Sequence, residues 1–118
     1  MDKTSKMAEA GKLAGLLGMA RRAGKLTTGF DAVAGLIGQE KAALVLTAAD
    51  LSPKTEKELH FAMKDKAVSV LCMPLTKEEA GNACGFKKPV GILATEDKGF
   101  AAAMEKYCLH DMEEDTAL

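Results

Sequence analysis

The sequence predicts an α/β fold with helices on both faces of a sheet, and three observations carry that prediction. Four short apolar runs alternate with helical patterns. One of them, Ala42-Ala43-Leu44-Val45-Leu46-Thr47, is apolar without alternation, as a strand covered on both faces must be, and is therefore placed centrally. Helix start and stop signals fall between the runs, in Ser52-Pro53, Thr76 to Glu79, Thr95 to Asp97 and Ala23-Gly24.

The first helix is expected over Ser5 to Arg22. Leu13, Leu16, Leu17 and Ala20 recur at the spacing of one buried helical face, and Gly24 just past the end can take the left-handed closing conformation. Lys25 to Thr28 is a short strand or extended link. The second helix, about Gly29 to Leu36, carries Gly35 in its interior at a cost of roughly 1 kcal/mol against alanine, so something other than propensity must keep it there. After the central strand, Ser52 is an N-cap and Pro53 the first helical residue of a helix to about Lys64 that buries Leu59, Ala62 and Met63. Val68 to Cys72 is the next strand, ended by Pro74. Thr76 and Glu79 then form a capping box, and the short helix they start ends near Gly85. A basic loop, Phe86-Lys87-Lys88-Pro89, precedes the last strand, Val90 to Ala94. Thr95-Glu96-Asp97 caps a final helix that runs to about Tyr107 and buries Phe100 and Met104.

At 118 residues the chain is long enough to bury one core without disulfides or a metal. Residues 1–108 are expected to form a single domain and 109–118 an acidic tail that frays into solvent or shields the basic corner. The charges balance, 16 basic against 17 acidic, so no overall basic field advertises nucleic acid. Their distribution is uneven: residues 1–25 hold six cations and two acids, whereas 105–118 hold one cation and five acids. Cys72, Cys84 and Cys108 are odd in number and lack metal-ligand spacing, which predicts reduced thiols and a cytoplasmic protein with no metal and no cofactor. No apolar segment reaches the roughly 18 residues of a membrane span, and the N-terminus does not read as a signal sequence.

Enzyme chemistry finds little support. His60 and His110 have no partner at a recognisable spacing, and the acidic pairs Glu78-Glu79 and Glu96-Asp97 are explained by first-turn dipole and capping effects. No catalytic residue is assigned. Met19, Met63, Met73 and Met104 read as core filler. Cys84 reads as a buried structural thiol without a cationic partner, Cys72 as a core strand residue, and Cys108 as uninformative. The stronger feature is the cationic corner of Arg21, Arg22 and Lys25, beside which a helix N-terminus opens after Thr28 and Gly29. The macrodipole alone accounts for cations at a helix end as readily as a phosphate does. Phe30 is either core or a stacking platform for an unpaired base, and Asp31 reads first as a capping partner of Thr28.

Four blocks in one order, LLGMARRAGKLTTGFDAV, KAALVLTAADLSP, PLTKEEAGNACG and PVGILATEDKGFA, resemble the kink-turn-binding ribosomal protein superfamily. Its members are the L-seven-Ae and L-thirty-e families, and the nearest likeness is to the small bacterial YlxQ-like branch, over about Lys12 to Ala103. The resemblance implies a three-layer α-β-α sandwich around a four-stranded mixed sheet. It also implies non-catalytic RNA binding in a ribosome or ribosomal-RNA context, with kinked or internal-loop RNA recognised by shape.

The RNA surface it implies consists of Lys25 to Gly35 and Phe86 to Val90. Lys25, Thr28, Gly29, Phe30, Asp31, Lys87, Lys88, Pro89 and Val90 are thereby assigned to RNA, with Arg21 and Arg22 as further phosphate contacts. The family motif Gly-x-Asn-Glu-x-x-Lys stands here as Gly29 to Gly35. Asp31 replaces the amide, Ala32 removes the second base reader and Gly35 removes the cation. A protein-interaction adaptor that kept the fold and lost kink-turn recognition is the alternative reading of those losses.

Overall fold

The computed structural model describes residues 2–108, and their side chains from Glu9 onward. The acidic tail and His110 lie outside the described residues. The elements follow in the order α1 (Asp2–Arg22), β1 (Thr27–Thr28), α2 (Phe30–Gly38), β2 (Leu44–Thr47), α3 (Pro53–Ala62), β3 (Val70–Cys72), α4 (Lys77–Ala83), β4 (Ile92–Thr95) and α5 (Lys98–Glu105).

The strands form one sheet in the order β1-β4-β2-β3. β2 and β3 are parallel, whereas β4 is antiparallel to both β1 and β2, so the sheet is mixed and only β4 runs against the rest. The central pair aligns Val45 with Ala94 and Leu46 with Leu93. Because side chains alternate across a strand, Leu44, Leu46 and Leu93 pack with α1, α4 and α5 on one face. Val45, Ile92 and Ala94 pack with Val33 and Ile37 of α2 and Leu59 of α3 on the other. The three-layer sandwich is thus a direct result of two central strands that are apolar on both sides.

The local stop and start signals act as the sequence predicts. Gly24, at φ +74°, closes α1, with the Lys25 N–H donating to the Ala20 carbonyl at 2.8 Å. Ser52 caps α3 with Pro53 at its first position, Thr76 and Glu79 form the reciprocal capping box of α4, and Asp97 caps α5 by accepting from the Phe100 N–H at 2.9 Å.

The strands are shorter than the apolar runs, because pairing extends only where Ile92–Thr95 stands opposite Leu44–Thr47. Ala62, Met63 and Phe100 are half-buried rather than core. Met19 is 47% exposed, contrary to its reading as core filler. It follows Leu17 by two residues, about 200° around the helix, and so leaves the buried stripe. The expected capping of α2 by Thr28 and Asp31 is absent: Gly29 is the N-cap, and no side chain bonds to the helix start. Gly35 has open space where a Cβ would stand, so packing does not require it.

Gly81 does have a packing reason. It is buried in α4, and a Cβ there would overlap the Lys88 carbonyl oxygen, a backbone atom that cannot swing aside. The basic loop lies against this bare patch, with the Phe86 N–H donating to the Gly81 carbonyl and the Val90 N–H to the Lys77 carbonyl, each at 2.9 Å. Gly81→Ala is expected to lower stability by about 1–3 kcal/mol through overpacking, read as a lower midpoint in urea denaturation. Gly35→Ala should raise it by up to about 1 kcal/mol in the same measurement.

Candidate functional site

The opposed direction of β4 gathers the loops. At one edge of the sheet β1, β2 and β3 all end, while β4 begins there. The Thr28 to Phe30 junction, the start of α3, the start of α4 and the Lys88 to Gly91 approach to β4 therefore meet outside the strand ends, where open α/β sheets commonly bind ligands. They enclose a cleft of about 360 Å³.

One wall is Thr28, Gly29 and Phe30, and the facing wall is Lys88, Pro89 and Val90. Both segments that the sequence singled out thus line one cavity. Gly29, at φ +96°, occupies backbone space that side chains resist, and its N–H donates to the Ile92 carbonyl at 2.9 Å, pinning the junction to β4. No side chain caps the first turn of α2, so its N–H groups lack an intrahelical partner, beside exposed Asp31 and Ala32. Phe30 is half-buried, packed against the α2–α3 core, and lines the cleft.

The floor holds residues that sequence reading missed: Leu51, Ser52, Thr55 and Lys77. Parallel pairing of β2 with β3 sends both following loops to the same edge, and they are tied together there. The Ala49 N–H donates to the Leu75 carbonyl, and the Asp50 carboxylate accepts from the Lys77 N–H, each at 2.8 Å. Only knowledge of that pairing could have found Lys77, which locally is just the first residue of a capped helix. Lys77 and Lys88 bring cationic side chains to a lining that is otherwise largely apolar. The cleft suits a flat, partly apolar group carrying a nearby negative charge.

The remaining predicted residues lie elsewhere. Lys25 stands at the other end of β1, lining a separate polar depression with Thr27, Glu96 and Asp97. Its carbonyl accepts a 2.6 Å bond from the buried Thr95 hydroxyl, which in turn accepts from the Asp97 N–H. Lys87 is exposed on the basic loop and Arg22 is exposed at the end of α1. The Arg21 guanidinium lies over the Phe86 ring, 4.4 Å from its centre, and so joins the end of α1 to the base of the basic loop.

Cys84 is buried, as expected, but it does have a cation near it. Burial pushes its thiol pKa up, and Arg21 opposes that rise. Cys108 proves informative: it is buried, and desolvation, then Cys72 and Glu105, pushes its pKa up to about 12. Among the described residues no three His, Cys, Asp or Glu side chains converge as a metal set, and no helix is long and apolar enough to cross a membrane.

This sandwich, with its cleft between the β1–α2 junction and the loop before β4, defines a class. The family model described as Ribosomal protein L7Ae/L30e/S12e/Gadd45 matches residues 11–105, and the chain belongs to that family. Within it the chain falls in the bacterial YlxQ-like branch: it is 39% identical over 93 residues to the RNA-binding protein YlxQ of Enterococcus faecium, a match covering 76% of this chain and 84% of that one. A Bacillus halodurans protein of unknown function has a similar structure, with TM-score 0.68, 26% identity, and 81% of this chain and 95% of that chain covered. The Giardia lamblia 15.5kD RNA binding protein shares the fold at TM-score 0.68 and 21% identity, over 85% of this chain and 90% of its own.

Arg21→Ala should cost about 0.5–1 kcal/mol in urea denaturation through loss of the ring contact, and should speed amide exchange at Phe86 and Lys87. For Cys108 the folded pKa lies above the unfolded one, so its contribution is whole below about pH 9 and is lost as pH rises toward 12. Alkylation by iodoacetamide at pH 8 should accordingly be slow at Cys84 and Cys108 in the native protein and become rapid in urea.

Proposed function

We propose that the protein is a non-catalytic RNA-binding protein that holds kinked or internal-loop RNA by shape, with one unstacked base entering the cleft. The observation that carries this reading is the meeting of the Thr28 to Phe30 junction with Lys88 to Val90 across a single cavity. A base inserted there would lie against Phe30, Pro89 and Val90. Lys77, Lys88 and the neighbouring Lys87 would meet the flanking phosphates and release counterions, giving salt-dependent affinity. The open N–H groups at the start of α2 would bond base edges or phosphate oxygens, and exposed Asp31 would accept from a guanine edge. The YlxQ relative's name speaks for an RNA partner, and family membership for a ribosomal one.

Asp31, Ala32 and Gly35 stand where the family motif carries an amide, a carboxylate and a cation, so recognition rests more on backbone shape and less on that code. Lys25 and Arg22, outside the cleft, would serve only RNA long enough to pass along β1.

The test is binding of a labelled hairpin RNA with an asymmetric internal loop, against a fully paired hairpin, at two salt concentrations. Lys77→Glu and Lys88→Glu should each weaken binding and reduce the salt slope by about 0.7–0.9. Equal affinity for the paired hairpin, or unchanged binding by both variants, would overturn the reading. Gly35→Lys, placed where nothing obstructs a side chain, should strengthen binding and steepen the slope by a similar amount.

A further inference from the structure

The largest aromatic surface on the described chain is not in the cleft. Phe61, near the end of α3, is 77% exposed, although α3 buries Leu59 two residues earlier. Folding does not explain that position, because the side chain buries little and every turn of α3 could be closed with a polar residue there. Phe61 borders an open groove between α2 and α3, of about 870 Å³, whose other lining residues are Phe30, Asp31, Lys57, Glu58 and Ala62.

Phe30 belongs to both places: it walls the cleft at the strand ends and it walls this groove. The two cavities therefore adjoin at one side chain, which places the groove beside the cleft. The groove's polar groups differ in kind from those of the cleft. Asp31 and Glu58 are exposed carboxylates and Lys57 is the single cation lining it. Two carboxylates repel phosphate, yet they accept hydrogen bonds, so an occupant must present donors at its edge and a flat face to the rings.

We infer that the α2–α3 groove is a second base site, in which an unpaired guanine adjoining the base in the cleft stacks on Phe61. Guanine presents two donors, N1–H and the exocyclic amine, along one edge, which a single carboxylate of Asp31 or Glu58 accepts together. Lys57 meets that nucleotide's phosphate. The inference rests on the cleft being an RNA site, and it adds a sequence preference to a surface that otherwise reads shape. The guanine edge assigned above to Asp31 is thereby placed in this groove: the carboxylate that is ill suited to a phosphate is suited to that base edge.

The 118-residue chain contains no tryptophan, so Phe61→Trp places a lone emission reporter in the groove. The probe is the internal-loop hairpin with guanines in the loop, compared with the same hairpin carrying inosine, which lacks the exocyclic amine. Quenching of Phe61→Trp emission by the guanine hairpin, weaker quenching by inosine, and about tenfold weaker binding by Phe61→Ala are expected, the last from loss of one stacked base. Phe61 is exposed, so both variants are expected to fold, and far-ultraviolet circular dichroism checks it. Undiminished affinity of Phe61→Ala with no quenching would overturn the second site, while loss of binding by Lys88→Glu in the same assay would leave the cleft standing. A nuclease-resistant protein partner released by Phe61→Ala, with RNA affinity unchanged, would also overturn it. If the wild-type protein binds neither hairpin, both sites fall together.

Discussion

The reversed direction of β4 is the constraint on which the rest of the molecule depends. Ile92, Leu93, Ala94 and Thr95 are all buried, and they supply apolar side chains to both helical layers as well as hydrogen bonds to two neighbours. Had β4 run with the other strands, the loop before it would open at the opposite edge, and the basic loop would never face the start of α2. The same reversal accounts for Lys25. It lies beside the end of β4, tied to Thr95, one strand length from the residues that adjoin it in sequence terms.

A second layer of positioning acts on that loop. Gly81 lets its backbone settle onto α4, Arg21 covers the ring at its base, and two backbone bonds tie its ends to Gly81 and Lys77. Arg21 joins the site from behind. Its charge, read in sequence as a phosphate contact, is engaged with an aromatic face, which orders the loop that carries Lys87 and Lys88.

What was legible in the sequence was local. Ser52-Pro53, Thr76 with Glu79, Asp97 and Gly24 announce helix ends because caps act within a few residues, and the unalternating Leu44–Thr47 announces a strand covered twice. The two loops of the site were legible as well, the basic one by charge and the other by its glycine before a helix. Lys77, Leu51 and Thr55 were not, because their place in the cleft follows from β2 pairing with β3, a relation between segments about 25 residues apart in the chain. Phe61 was overlooked for a different reason. Aromatic residues in amphipathic helices are usually buried, and here the buried stripe of α3 runs through Leu59.

The bare surface of Gly35 has a consequence for how such a protein changes over time. Positions 31, 32 and 35 lie on the open side of α2, and neither core reaches them. Substitution there is nearly free of folding cost, whereas Gly29, Gly81 and the β4 residues are held by backbone geometry and packing. The residues that hold the scaffold and those exposed on the open side of α2 are thus under separate physical control. Side chains on that face are free to change over time with the architecture beneath unaltered.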